Sequence, residues 1–310
     1  MVKGEENTIF ICPFTGKPLH EMSKEELAIV NERMKHGEFY HHQGVVANCE
    51  LKRALTSGNQ LYIFPIIDDI ILLKKATAIT AKSRTANPFL RVDALSKQLF
   101  YAEFPCLRIE KTEVNYKKEL KSQPLSNEEL LELRTLLSKS GETFMSIVTH
   151  DIDALHNLVF NTNYDRYLHL DFSWSRLSAI KTDLKKGSIL VLSDEDKFPF
   201  EESSIDALFS FDYINESDRI DQSLAYQELK RILKPDSQSI VLYDKDKPMF
   251  VQNQQKNDNF SNKALSILAP WKKRKVPSIY FHPVKLNNDH KSNDRYLTKA
   301  LLKGQLFSSK

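Results

Sequence analysis

The sequence is short of glycine. The chain of 310 residues contains eight glycines, and Gly187 is the only one between Gly141 and Gly304. No loop of the GxGxxG or GxxxxGK type can be written anywhere in the chain. Backbone loops of these types hold the phosphates in Rossmann dehydrogenases, protein kinases and P-loop enzymes. The usual signatures of these three classes are therefore excluded.

Cysteine and net charge are also low. The three cysteines are far apart, which favours free thiols in a reducing compartment, and we expect a cytoplasmic protein. Lys and Arg number 44 against 41 Asp and Glu, so the formal net charge is +3. This small excess does not indicate nucleic acid or an anionic membrane as a partner.

Long apolar runs are missing as well. The longest, Leu61 to Leu73, is interrupted by Asp68 and Asp69, so no segment is predicted to span a bilayer. The first residues are acidic and lack an apolar core, which predicts no signal peptide. With 41% apolar and 27% charged residues, the composition is that of a globular protein of about two domains.

The order of local patterns predicts the domain organisation. Capping boxes at Ser23 to Glu26 and at Ser126 to Glu129 predict two helices, the second running from Leu125 to Gly141. From residue 141 onward strands and helices alternate, which indicates a doubly wound, mostly parallel sheet. We therefore predict an α/β protein with a small α+β N-terminal domain (1–75), a helical connector (76–140), a doubly wound domain (141–286) and a tail (287–310).

Three segments resemble class I S-adenosylmethionine-dependent methyltransferases. Asp194 to Asp206 is similar to their D-x-x-x-L-P-F-x-x-x-S-F-D signature, and Glu228 to Pro235 to their E-x-x-R-V-L-K-P-G-G segment. Tyr167 to Ser173 resembles their second strand, which ends in an acidic residue. The segments follow the family's order and spacing over about residues 141–286. The resemblance implies a Rossmann-like fold and a methyltransferase that uses S-adenosylmethionine.

The resemblance also implies a cofactor site. It assigns Asp171 to the ribose hydroxyls and Asp194 to the adenine amino group. The cofactor-binding residues that it implies are Thr149, Asp151, Asp171, Phe172, Asp194, Glu195 and Ser210. Taken singly, Asp171 and Asp194 are better explained as turn residues or helix caps at strand ends, and it is the ordered set of three segments that favours a nucleoside pocket. No catalytic residue can be assigned from the sequence.

The first loop of the family departs from its pattern in this chain. Thr149 to Asp153 stands where the family has G-x-G-x-G. A side chain held in a sparsely populated backbone region costs about 1–3 kcal/mol per position. Asp151 and Asp153 would also repel the cofactor's carboxylate, although one of them could pair with its ammonium group. Two interpretations stay open: the cofactor binds in an altered pose, or the domain does not bind it.

A second resemblance concerns the N-terminal domain. Cys12 to Leu19 is similar to C-P-x-C-x-x-x-L, and Phe64 to Leu73 to Y-P-I-x-D-G-I-P-x-L-L. These motifs open and close the zinc-ribbon-like activator subunit of transfer-RNA, ribosomal-RNA and release-factor methyltransferases. Here Thr15 replaces the second cysteine, and Cys12 and Cys49 have no C-x-x-C partners. A structural zinc needs four nitrogen or sulfur ligands, so we expect no zinc and no other metal.

Three functions remain open at this point. The first is an S-adenosylmethionine-dependent methyltransferase whose acceptor is unknown. The second is a methyltransferase-like pseudoenzyme that acts as an interaction or activator subunit, with a protein partner or a second copy of the chain. The third is a binding module for another nucleotide-like ligand in the same crevice.

Overall fold

The computed structural model describes residues 9–58, 60–81, 92–108, 125–137, 139–147, 152–211, 213, 222–244 and 278–284. The helices in these stretches are Lys24–Lys35 (α1), Ala94–Glu103 (α2), Asn127–Leu136 (α3), Ile152–Leu158 (α4), Trp174–Ile180 (α5) and Gln222–Ile232 (α6). The strands are Leu19–Glu21 (β1), Phe39–His41 (β2), Ala54–Ser57 (β3), Ile63–Ile67 (β4), Ile70–Leu72 (β5), Ile79–Ala81 (β6), Ser140–Ile147 (β7), Asn163–Asp171 (β8), Ile189–Leu192 (β9), Ile205–Ser210 (β10), Leu233–Asp244 (β11) and Ser278–Val284 (β12).

The described residues from 9 to 81 form an N-terminal module of antiparallel strands. β3 pairs with β1 and β4, β4 also pairs with β5, and β6 pairs with β2 and β4. The turn between β4 and β5 contains Asp68 and Asp69, at φ +48° and +61°. Among residues with a side chain, Asp is one of the few types that tolerate this left-handed region. β6 lies within the residues predicted as a connector, yet it belongs to this sheet.

The described residues from 139 onward form a C-terminal module with a parallel sheet. Its strand order is β9-β8-β7-β10-β11-β12, and every neighbouring pair in it is parallel. Helices α3 and α4 pack on one face of this sheet, and α6 packs on the other. The predicted α/β fold class with a mostly parallel, Rossmann-like sheet is confirmed.

The two modules share one continuous sheet. β5 pairs with β9 in parallel, with Ile70 opposite Leu190 and Leu72 opposite Leu192. A second connection joins the backbone beside Phe10 to the segment around Phe200, where the Ile11 N–H donates to Pro199 at 3.0 Å. The apolar side chains of both modules consequently merge into common cores.

Helix α3 differs from its prediction. Its capping box at Ser126 and Glu129 is present, but the helix ends at Leu136 and does not continue to Gly141. Gly141 lies in β7, where a Cβ atom would come within 2.8 Å of the side chain of Asp206. The glycine therefore permits close packing between two strands, and the prediction of Gly141 as the helix end was wrong.

Some predicted features lie outside the described residues. They are residues 149–151 of the first cofactor loop and the tail 287–310. Among the helices that the structure describes, none is long and apolar enough to cross a membrane.

Two histidines are buried in the cores. His41 is 0% exposed, its Nδ1 lies 3.0 Å from the Thr77 carbonyl, and its Nε2 has no hydrogen-bond partner in the described part of the chain. His169 lies on β8, with its Nδ1 at 2.6 Å from the Ser146 hydroxyl. Burial lowers the pKa of His41 to about 4 and that of His169 to about 3.

The burial of His41 predicts a loss of stability in mild acid. In the unfolded chain His41 takes up a proton below pH 6.5, whereas in the folded chain it does so only near pH 4. The free energy of unfolding therefore falls as the pH is lowered through this window. We expect His41→Phe to remove about 2–3 kcal/mol of the loss between pH 7 and pH 4.5, measured by urea unfolding. His20→Phe, at an exposed position, should keep the wild-type pH dependence. An unchanged pH dependence in His41→Phe would contradict this assignment.

Candidate functional site

Polar residues gather where the parallel strands of the C-terminal module end. Asp171 is the last residue of β8, Asp194 follows β9 by two residues, and Ser210 is the last residue of β10. In doubly wound sheets, ligands lie outside the carboxyl ends of the strands. The sequence-predicted residues Phe172 and Glu195 lie at this same edge. Thr149 and Asp151 lie outside the described residues.

The carboxylate of Asp171 is held by the chain itself. Asp171 is 1% exposed, and its Oδ1 accepts from the backbone N–H groups of Phe172 at 2.6 Å and Ser173 at 2.9 Å. The guanidinium of Arg176 donates to the same carboxylate, from Nε at 2.9 and 3.0 Å and from Nη2 at 2.7 Å. A charged pair with this geometry is strong because each partner is ionised and the bonds are short.

The bonds to Asp171 fall mainly on one of its two carboxylate oxygens. Two backbone amides and the Nε and Nη2 groups of Arg176 donate to Oδ1, whereas Oδ2 accepts from Nε at 3.0 Å. A pair of ribose hydroxyls could bind this carboxylate only if Arg176 moved away from it. S-adenosylmethionine, as the family resemblance would place it, therefore does not fit the carboxylate while Arg176 is paired with it.

Arg176 was missed by the sequence reasoning. It lies in the first turn of α5, which begins at Trp174. A cation is unfavourable near a helix N-terminus, where the helix dipole is positive. An arginine at that place, five residues after an acidic strand end, is the signal that could have identified it as a partner for Asp171.

Asp194 is directed at the N-terminal module. Its Oδ2 accepts from the backbone N–H of Lys75 at 2.8 Å, at the start of the short 3-10 helix Lys75–Thr77. Burial raises the pKa of Asp194, while the hydrogen bond from Lys75 and the charges of Lys74 and Lys75 oppose this shift. The side chain thus ties the end of β9 to the residues that follow β5.

Lys74 brings a cation from the N-terminal module to the same edge. Its Nζ lies 2.8 Å from the Glu103 carboxylate and donates to the Phe172 carbonyl at 3.1 Å. Burial alone would lower the pKa of Lys74, but Glu103, Asp194 and Glu195 together raise it above its usual value. Lys74 therefore stays charged and compensates acidic groups on α2 and on the C-terminal module.

Three aromatic rings close the middle of the edge. The ring of Tyr213 lies 5.8 Å from that of Phe172 and 5.0 Å from that of Phe198. The Tyr213 hydroxyl donates to the Glu195 carbonyl at 3.2 Å, and its backbone N–H donates to the Ser210 hydroxyl at 3.3 Å. Tyr213 is 0% exposed, so a side chain that follows β10 reaches the backbone that follows β9.

The motif that begins at Glu228 has a structural role. Glu228 accepts from the Phe198 N–H at 2.7 Å, and Arg231 donates to the carbonyl of Phe200 at 2.7 Å and to that of Phe198 at 2.9 Å. Glu228 and Arg231 also form an ion pair with each other. The pair on α6 therefore fixes the segment that carries Pro199 and Phe200 against the sheet.

The described residues contain no group of three or more His, Cys, Asp or Glu side chains placed to hold a metal ion. Cys12 and Cys49 are both free and buried. Burial raises the pKa of the Cys49 thiol to about 11, which keeps it protonated at neutral pH.

Comparison with known proteins identifies one segment. Residues 153–241 match the family described as the methyltransferase domain. This segment is similar to that family. The predicted resemblance to class I methyltransferases is confirmed for it, and the matched residues cover less than a third of the chain. No curated protein matches the sequence.

Solved structures show partial likenesses. The complex that contains the Trm112 methyltransferase activator of Haloferax volcanii matches at 24% identity over 34% of this chain and 47% of that chain, with a TM-score of 0.31. A SAM-dependent methyltransferase of Aquifex aeolicus matches at 20% identity over 36% and 59%, with a TM-score of 0.29. Geranyl diphosphate C-methyltransferase of Streptomyces coelicolor matches at 14% identity over 36% and 44%, with a TM-score of 0.29. The present chain thus spans about half the length of these chains.

The pair formed by Asp171 and Arg176 predicts a specific pattern of stability. Arg176→Gln should lower the free energy of unfolding by about 2–4 kcal/mol, because a buried carboxylate loses its partner. The double variant Asp171→Asn with Arg176→Gln should recover at least half of that loss, since no unpaired charge remains. Arg53→Gln, which breaks an exposed pair with Glu21, should cost less than about 1 kcal/mol. Urea unfolding of the four proteins measures this, and equal costs for Arg176→Gln and Arg53→Gln would contradict it.

Proposed function

We propose that the chain is a non-catalytic member of the methyltransferase family, in which an activator-type module and a methyltransferase-type domain form one interaction subunit. The observation that carries this proposal is the state of Asp171. Its carboxylate is buried, and Arg176 and two backbone amides already satisfy it. A nucleoside would have to displace an internal ion pair before it could bind at this residue.

The second acidic residue supports the same function. Asp194 binds the backbone of Lys75 at 2.8 Å, and Lys74 lies close enough to influence its pKa. Both lysines come from the N-terminal module. The contact between the modules therefore uses the Asp194 carboxylate, which the family resemblance assigns to cofactor binding. The replacement of the family's glycine-rich loop by Thr149 to Asp153 agrees with this use.

Such a subunit would act through binding to a protein. Its partner is an active methyltransferase related to the C-terminal module, or a second copy of the chain. The activator-type module is already paired with the methyltransferase-type domain through β5 and β9. The partner would therefore bind to the joined pair.

Isothermal titration calorimetry tests the proposal. We expect no saturable heat when S-adenosylmethionine or S-adenosylhomocysteine is added to the full chain at millimolar concentration. A methyltransferase of known affinity, titrated in the same buffer, is the positive control. Micromolar binding of S-adenosylhomocysteine by the wild-type chain, or methyl transfer to any acceptor, would overturn the proposal.

A second candidate function is an S-adenosylmethionine-dependent methyltransferase with a rebuilt cofactor loop and an unknown acceptor. The observation that favours it is the position of Asp171 and Asp194, which close neighbouring strands at one sheet edge as the resemblance implies. It requires Arg176 to leave Asp171 when the cofactor binds. In that case the wild type binds S-adenosylhomocysteine, and Asp171→Asn weakens the binding about tenfold or more.

A further inference from the structure

A large cleft lies at the opposite edge of the sheet, near the amino ends of the C-terminal strands. Its volume is about 1120 Å³, and both modules line it. Cavities that hold small ligands usually measure about 300–1,000 Å³, so this one is large enough for an extended molecule. None of the residues that line it is one of the acidic groups at the carboxyl edge.

The floor of the cleft is one face of the continuous sheet. Ile71 on β5 lines the cleft, next to the turn residue Asp69. Register places Ile71 opposite Ile66 and Val191, and places Leu168 opposite Ile189. Strands β8, β9, β5, β4, β3 and β1 are consecutive neighbours here. Five steps of about 4.8 Å give a floor roughly 24 Å long.

One end of the cleft is aliphatic. Four side chains from the N-terminal module line it, and each is at most 8% exposed: Leu19, Leu55, Ile66 and Ile71. The two acids on the nearby rim are already paired, Glu21 with Arg53 at 2.7 Å and Asp69 with Lys181 at 3.2 Å. This end therefore offers apolar surface, and both of these acidic side chains are neutralised by a basic partner.

The other end is cationic. Arg166 at the start of β8, and Lys185 and Lys186 before β9, line the cleft. In the part of the chain that the structure describes, these three side chains form no ion pair, although Lys185 lies 4.4 Å from the centre of the Tyr167 ring. The acid Glu201 on the rim is exposed. The cations therefore exceed the acids at this end.

We propose that this cleft binds an anionic molecule with a single long aliphatic chain, of the fatty-acyl class. Its carboxylate or phosphate lies between Arg166 and Lys186. Its chain follows the apolar floor from β9 toward β1. The separation of the cationic end from the aliphatic end within one elongated cleft is the observation that selects an amphiphile over a nucleotide or a free phosphate ion.

This inference is independent of the proposed function. The cleft and the acidic carboxyl edge lie at opposite ends of the same strands, so a ligand can bind to one whatever occupies the other. Binding of S-adenosylhomocysteine would overturn the proposed function without bearing on the cleft. A failure of fatty-acyl binding would leave the proposed function intact.

The test is a titration of the full chain with palmitate, monitored by displacement of a fluorescent fatty-acid probe. Palmitate should bind with a stoichiometry of one. Hexadecanol, which lacks the anion, and inorganic phosphate, which lacks the chain, should each bind at least about tenfold more weakly. Palmitoyl lysophosphatidic acid distinguishes the source of the anion, since preferred binding of it indicates a phosphate head and preferred binding of palmitate a carboxylate.

Variants locate the binding. The double substitution R166Q/K186A should weaken palmitate binding about tenfold or more, because two charged partners are removed from the anion. K97A, at an exposed lysine of α2, is the matched control and should bind as the wild type does. Circular dichroism checks that all variants are folded. Absence of palmitate binding by the wild type, or equal binding by R166Q/K186A and the wild type, would overturn the proposal, as would preference for an apolar peptide over every fatty-acyl probe.

Discussion

The parallel pairing of β5 with β9 determines the arrangement of both ends of the molecule. It joins a small antiparallel module to a parallel sheet, and it continues into the hydrogen bond from the Leu73 N–H to the Leu192 carbonyl at 2.8 Å. The residues just after β5 then emerge at the carboxyl edge, which brings Lys74 and Lys75 to the acids there. The apolar face of the N-terminal module continues the face of β9, and this continuity forms the floor of the cleft.

Charge compensation at the carboxyl edge follows from this arrangement. Asp171 is balanced by Arg176 from its own module, whereas Asp194 is stabilised by the Lys75 N–H and by the charges of Lys74 and Lys75 from the other. Charges taken out of water need partners nearby, because the interior screens and solvates them poorly. The buried carboxylates at this edge therefore have cationic partners within the described chain. Each of these cations also fixes the position of a loop.

The elements that depend on local sequence were predictable, and those that depend on tertiary partners were not. The capping boxes at Ser23 and Ser126 are present because the hydrogen bonds involved join residues three apart. Gly141 was misassigned because its requirement comes from Asp206, which is distant in the sequence. The positions of Asp171 and Asp194 at strand ends followed from the family resemblance. Their partners did not, because Lys75 comes from another module and Arg176 departs from helix-dipole preferences.

The composition of β9 gives the junction a further significance. The strand reads Ile189-Leu190-Val191-Leu192, without a charge, a proline or a bulge. Left as the border of a sheet, such a strand would present unpaired amides and carbonyls on an aliphatic ribbon, which is a template for the addition of foreign strands. β5 occupies that border within the same chain. The N-terminal module therefore covers the edge of β9 and protects it from pairing with other chains. Without this module, we expect the C-terminal module to aggregate.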